Sequence, residues 1–91
     1  MDRELESAVM DCLAETRPQI GGGFWTEFIQ TPADGLANFH FGLGLYLRNN
    51  VLVPESELYG LFTREGITHK DEMSTLMMQR WHEALNGNPQ L

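Results

Sequence analysis

The sequence has little cysteine, little positive charge and no long apolar run. Its single cysteine, Cys12, cannot form a disulfide within the chain, so nothing indicates an oxidising compartment. The acidic stretch from Met1 to Glu6 is unlike the basic head of a secretory signal. The longest apolar stretch, Phe39 to Leu47, is far shorter than a membrane span. We therefore expect a soluble protein of the cytoplasm.

Positive charge is scarce. The sequence has 6 Lys and Arg residues and 13 Asp and Glu residues, so its net charge is −7. Nucleic acids and anionic membrane surfaces attract basic proteins, so we expect neither as a partner. The charge is compatible with a basic partner protein. It is equally compatible with a simpler role, which is to keep a small protein soluble.

The length and composition predict one small globular domain. The chain has 91 residues, of which 42% are hydrophobic, and shows no internal repeat. Glycine and proline divide it into helical stretches, and no clear alternating strand pattern competes with them. The prediction is an all-α fold, a small compact bundle of about four helices with a short aromatic turn segment. This domain covers residues 1–91, with a frayed tail at about 88–91.

The helix boundaries follow from caps and breakers. The predicted helices run from about Arg3 to Thr16, from Thr31 to Arg48, from Pro54 to Glu65 and from Thr68 to Leu85. The aromatic segment, Phe24 to Gln30, is expected to form one or two helical turns, with a strand as the alternative. Thr31 and Thr68 are the expected N-caps. Asn49 and Asn50, in a left-handed conformation, and Gly66 are the expected helix ends.

The predicted second helix is apolar on more than one face. Leu36, Phe39, Leu43 and Leu47 form one stripe, and Phe41 and Leu45 form another. Such a helix is central in the fold or lies at a subunit contact, because both stripes must be covered. A homodimer held by this helix is one way to cover them.

His40, Gly44 and Arg48 are spaced by four residues, so they share one helix face. A glycine inside a helix costs about 1 kcal/mol relative to alanine, which indicates that Gly42 and Gly44 each have a reason to be there. One hypothesis is a notch in which His40 and Arg48 hold a carboxylate or phosphate. The alternative is close helix packing, with Arg48 paired to an acid such as Asp71 or Glu72.

The segment from His40 to Asn50 resembles the His-Phe-Gly-Leu-Gly-x-x-x-Arg-Asn-Asn signature of an uncharacterised bacterial and phage family of unknown function. A second part of that pattern, with Gly66-Ile67-Thr68-His69 and Asp71-Glu72-Met73-Ser74, follows. Val51 and Lys70 depart from the family, which often has an aromatic residue and a proline there. The resemblance implies no activity. It nominates a polar set for the candidate site, made up of His40, Arg48, Asn49, Asn50, His69, Asp71 and Ser74, to which the spacing adds Gly44.

Other chemistry has less support in the sequence. Ser74, Asp71 and a histidine are residue types of nucleophilic catalysis, but no nucleophile elbow is present and both Asp71 and Ser74 also suit a helix start. No two histidines have the i, i+4 spacing of a metal site. We expect His82 to be a solvated surface residue, and we expect neither a metal nor a cofactor.

Two functions remain open at this point. The first is an acidic protein-interaction module, regulatory or immunity-like, that binds a partner protein or itself. The second is a small anionic-ligand or enzymatic site built around His40, Arg48 and Asp71. The absence of a catalytic motif favours the first, and we do not expect an enzyme.

Overall fold

A computed structural model describes residues 1–91, and all of its regular structure is helical. The five α-helices are α1 (Arg3–Thr16), α2 (Gly22–Gln30), α3 (Leu45–Asn50), α4 (Glu57–Arg64) and α5 (Lys70–Gly87). The prediction of an all-α fold is confirmed, and the count of about four helices is corrected to five. None of these helices is both long and apolar enough to cross a membrane.

Helix α1 covers one side of the core, and its predicted bounds are confirmed. The Asp2 carboxylate caps it by accepting the Leu5 N–H at 2.9 Å. Its residues Leu5, Val9 and Leu13 are fully buried, as their three- and four-residue spacing predicts.

Helix α5 is the central element of the fold. Its buried side chains include Met73, Met77, Met78, Trp81 and Leu85, so the methionine cluster belongs to the core. The Trp81 indole N–H donates to the Val9 carbonyl of α1 at 2.9 Å. An indole buried without a partner would be costly, so this bond ties α1 to α5 at the centre of the core.

The segment from residue 31 to 50 departs from the single α-helix that the sequence predicts. It consists of a 3₁₀ helix (Ala33–Phe39), a π-helical turn (His40–Gly44) and α3. A 3₁₀ helix has 3.0 residues per turn, so Leu36 and Phe39, three apart, both lie on the core side. The wider π turn follows, with Leu43 and then Leu47 of α3 on the same side. We refer to His40–Gly44 as the π turn below.

Several predicted caps of this region are wrong. The Thr31 hydroxyl donates to the Glu27 carbonyl and closes α2, so it does not cap the helix that follows. Helix α3 includes both asparagines and ends at Asn50, two residues beyond the predicted end at Arg48. Val51 follows in a right-handed conformation, so no asparagine adopts the left-handed one. Gly66, with φ of 85°, does adopt it and ends the turn after α4, as predicted.

The last two α-helices also start differently from the prediction. Ser56, two residues after Pro54, caps α4 by accepting the Tyr59 N–H at 3.1 Å. Helix α5 begins after His69, whose carbonyl accepts the Met73 N–H, so Thr68 lies outside the helix and caps nothing.

The aromatic segment forms helix α2, so the helical prediction is confirmed over the strand. Trp25 and Phe28 are buried in the core. The Arg17 guanidinium lies 5.2 Å from the Trp25 ring centre and donates to the carbonyls of Pro89 and Leu91. Two residues of the expected tail thus contact Arg17, the residue that follows α1.

Candidate functional site

Arg48 is the centre of the polar cluster that the sequence nominates. Its Nε lies 3.3 Å from the Asp71 carboxylate, and its Nη1 donates to Ser74 Oγ at 3.2 Å. Nη2 donates to the His40 carbonyl at 3.1 Å, and Nη1 lies 3.4 Å from His40 Nδ1. Because the Arg48 side chain is only 11% exposed, these contacts enclose its charge within the protein. The predicted ion pair between Arg48 and Asp71 is present.

Gly44 provides the space for this arrangement. A Cβ atom at position 44 would lie 3.0 Å from Arg48 Nη1 and 3.3 Å from the Met78 methyl group. The notch that the sequence predicts therefore exists, and the guanidinium of the chain's own Arg48 fills it. We call the contacts of Arg48 with His40, Asp71 and Ser74 over Gly44 the arginine brace.

The brace joins the π turn to the start of α5. Ser74 is fully buried, accepts from Arg48 and donates to the Asp71 carbonyl at 3.0 Å. Its hydroxyl hydrogen is thus used by the backbone, and no hydrogen bond links Ser74 to a histidine. No side-chain N or O atom of the protein is buried without a hydrogen-bond partner. A fully satisfied polar network of this kind rigidifies the elements that it joins.

The brace also determines which nitrogen of the His40 ring carries a hydrogen. Arg48 can only donate, so Nδ1 acts as the acceptor in their contact. In the neutral ring the hydrogen is then on Nε2, which is left as a donor.

Three nominated residues lie outside the brace. The Asn49 side chain is exposed, and the Asn50 amide donates to the Tyr46 carbonyl one turn earlier in α3. His69 is exposed before the first turn of α5, with no side-chain capping bond. The structure therefore brings together His40, Gly44, Arg48, Asp71 and Ser74 and leaves the other three apart.

The prediction that His82 is a solvated surface residue is wrong. His82 is only 9% exposed, and its Nε2 donates to the Thr31 carbonyl at 2.6 Å. Its ring also meets the Phe28 ring edge-on, with ring centres 5.6 Å apart. His82 therefore fixes the junction of α2 and the 3₁₀ helix to α5, a role that its spacing on α5 does not indicate.

An exposed aromatic residue lies beside the brace. Phe41, in the π turn, is 82% exposed, and Leu45, one turn later, is 41% exposed. The Phe41 ring meets the His40 ring edge-on, with ring centres 4.8 Å apart. The second apolar stripe of the sequence analysis therefore has no cover within the chain.

A groove of about 330 Å³ lies between the 3₁₀ helix and α5, with His40 in its wall. Its apolar lining is Leu36, Met78, Ala33 and Ala37, and its polar lining is Asp34, Thr75, Gln79 and His40. We call it the His40 groove. Sequence reasoning missed it because its wall depends on the 3₁₀ geometry of residues 33–39, where a regular α-helix was expected.

A second groove, of about 280 Å³, lies between α1 and the start of α4. Asp11, Cys12, Glu15 and Glu57 are among its lining residues. Burial raises the pKa of the Cys12 thiol above its usual range, and the nearby Glu15 charge acts in the same direction. Cys12 therefore stays a neutral thiol at physiological pH.

The fold and the cluster define a small all-helical domain with an enclosed arginine network and an exposed aromatic residue next to it. Residues 23–85, about two thirds of the chain, match the model of a family described as "Domain of unknown function (DUF6794)". The chain belongs to this family, and the match includes the arginine brace, Phe41 and the His40 groove. No curated protein and no solved structure matches the chain.

Proposed function

We propose that this protein is a protein-interaction module and that Phe41 is the centre of its contact surface. The observation that carries the proposal is the 82% exposure of Phe41 in a chain whose other four phenylalanines are buried or partly buried. Aromatic side chains are enriched at protein interfaces, where one anchor supplies much of the binding energy. We further propose that the module acts in the cytoplasm, which suits its single neutral thiol.

The surroundings of Phe41 support this role. Leu45, one turn later, is also exposed, and the neighbouring residue His40 lines the His40 groove, so further apolar surface lies near Phe41. The arginine brace holds the π turn through the His40 carbonyl and ring. An anchor on a rigid element loses less conformational freedom when it binds, which favours affinity.

The alternative function, an anionic-ligand site at Arg48, has less support. All three guanidinium nitrogens of Arg48 already contact protein groups. Nη1 also lies close to the backbone of Gly44, since a Cβ atom there would be 3.0 Å away. The contacts of Arg48 use four of its five N–H donors, so a carboxylate or phosphate that bound through two N–H groups would have to displace one of them. The brace is therefore better suited to supporting a surface than to binding an anion.

The test compares capture of partner proteins from the native host by three tagged proteins, namely the wild type, Phe41→Ser and Ala14→Ser. Ala14 is exposed on α1, so its variant introduces the same hydroxyl elsewhere on the surface. We expect a polypeptide bound at fixed stoichiometry to wild type and Ala14→Ser and lost from Phe41→Ser. Each variant should melt within about 4 °C of the wild type, since exposed substitutions change stability little. If no bound polypeptide depends on Phe41, the proposal is wrong.

A further inference from the structure

The lining of the His40 groove indicates what kind of partner segment fits it. The apolar wall combines Leu36 and Ala37 of the 3₁₀ helix with Met78 of α5. A volume of about 330 Å³ is at the lower end for ligand pockets, which suits one or two inserted side chains. Methionine is flexible and polarizable, so it adapts to different apolar side chains.

The groove and Phe41 form one continuous surface. His40 both lines the groove and contacts the Phe41 ring edge-on. A partner segment can therefore place an apolar side chain in the groove and pack its neighbours against Phe41. Apolar side chains of an amphipathic helix recur at steps of three and four residues, which suits two such adjacent contacts.

The charge around this surface is negative. Asp34 is the one charged side chain in the groove lining, and no Lys or Arg lines it. Four of the six cationic side chains are engaged in contacts within the protein; these are Arg17, Arg48, Arg64 and Arg80. With 13 acidic side chains in the protein, an approaching segment meets a negative field.

Charge complementarity decides among the possible occupants. A second copy of this chain would bring its own charge of −7 to the same surface, which opposes association. A segment with Lys or Arg beside its apolar side chains would be attracted and could pair with Asp34. We infer that the His40 groove binds a cationic amphipathic segment of another protein, with an apolar side chain between Leu36 and Met78. This inference rests on the proposed function and specifies the partner class.

The experiment places the photoreactive amino acid p-benzoylphenylalanine at position 37, in the groove wall, in the native host. Ala37 is exposed, so the replacement is expected to leave the fold intact. Mass spectrometry of the cross-linked peptide then gives the sequence that lies in the groove. We expect a segment of another protein with net positive charge and apolar residues at helical spacing.

A matched pair of charge variants tests the role of Asp34. Asp34→Asn should lower the cross-linking yield by up to about fivefold at low salt, and the difference should shrink as salt is added. Asp11→Asn removes the same charge from the other groove and should leave the yield unchanged. Equal effects of the two variants would mean that only net charge matters and would overturn the inference.

The remaining outcomes separate this inference from the proposed function. A cross-linked peptide from this chain itself, or from an acidic or neutral segment, overturns the inference. So does a complete absence of cross-links at position 37. In each of these cases the proposed function still stands if Phe41→Ser abolishes capture, and it fails if capture does not depend on Phe41.

Discussion

Gly44 lies directly beneath the guanidinium of Arg48, four residues later in the chain. A Cβ atom at position 44 would lie 3.0 Å from Arg48 Nη1 and 3.4 Å from the Phe39 carbonyl oxygen. The arginine thus occupies the volume that a side chain would take and folds back along its own helix to His40. Glycine is required here by the close approach of a side chain, and Gly44 itself has an ordinary helical backbone.

Two alanine substitutions in the π turn should have different effects on stability. Gly44→Ala pushes against Arg48 and the Met78 methyl group, and we expect it to lower the free energy of unfolding by about 1–2 kcal/mol. Gly42 has no atom within 4 Å of a new Cβ, so Gly42→Ala should leave stability unchanged or raise it by up to about 1 kcal/mol. Urea denaturation of both variants measures the difference. Equal effects would show that Gly44 has no special packing role.

Arg48→Ala should destabilise the protein far more than removal of an exposed arginine. It leaves buried Ser74 without its donor and breaks the tie between the π turn and α5. We expect a loss of about 2–3 kcal/mol, which lowers the melting temperature by about 10 °C or more. Arg64→Ala is the matched control, because Arg64 pairs with Glu4 on the surface and such pairs contribute about 0–1 kcal/mol. If Arg48→Ala changed the free energy of unfolding only slightly but abolished anion binding, the result would instead favour the ligand site.

The sequence predicts this fold well where helix geometry is regular. The spacing of Leu5, Val9 and Leu13 places α1, and the apolar face from Met73 to Leu85 places α5, because buried residues recur at steps of three and four. The segment from 31 to 50 was less predictable. Steps of three and four fit a 3₁₀ helix followed by a π turn as well as they fit an α-helix, so the apolar pattern could not distinguish them.

Part of the candidate site was predictable, because residues four apart share one face of a helix. His40, Gly44 and Arg48 were expected on one face, and the charge of Arg48 required an acid, which Asp71 provides. Asn49, Asn50 and His69 were nominated by the family resemblance alone, and each has its side chain outside the brace. The His40 groove and the Thr31–His82 bond depend on how distant segments meet, which spacing along the chain does not encode.

His82→Phe tests the bond that joins α5 to the end of α2. The substitution keeps an aromatic ring beside Phe28 but removes the donor to the Thr31 carbonyl. We expect the free energy of unfolding to fall by about 1–2 kcal/mol and the melting temperature by several degrees. His69→Phe, at an exposed position, should stay within about 0.5 kcal/mol of wild type. If both variants melt alike, the Thr31–His82 bond adds nothing measurable.

The Asp2 cap should make stability depend on pH in the acidic range. The Asp2 carboxylate accepts a hydrogen bond from the Leu5 N–H, which holds the pKa of the Asp2 carboxyl below the usual value of 3.8. The positive charge of Arg64 lowers this pKa further. Because the pKa is lower in the folded state, this stabilisation is present above about pH 3.8 and is lost as the pH falls through the folded-state pKa. Asn also caps helices but does not titrate, so Asp2→Asn should show a shallower loss of stability in urea melts between neutral and strongly acidic pH. Identical slopes for the two proteins would contradict this assignment.

The bond from the Trp81 indole to the Val9 carbonyl bears on where a working fragment can be cut. Residues 23–85 match the family, but Val9, with its neighbours Leu5 and Leu13, lies outside that range and fills the core. A fragment limited to the matched residues would carry an indole nitrogen with no acceptor and an apolar face open to water. The unit to express, crystallise or graft onto another protein therefore includes α1, and the boundary of the sequence family is not the boundary of the folding unit.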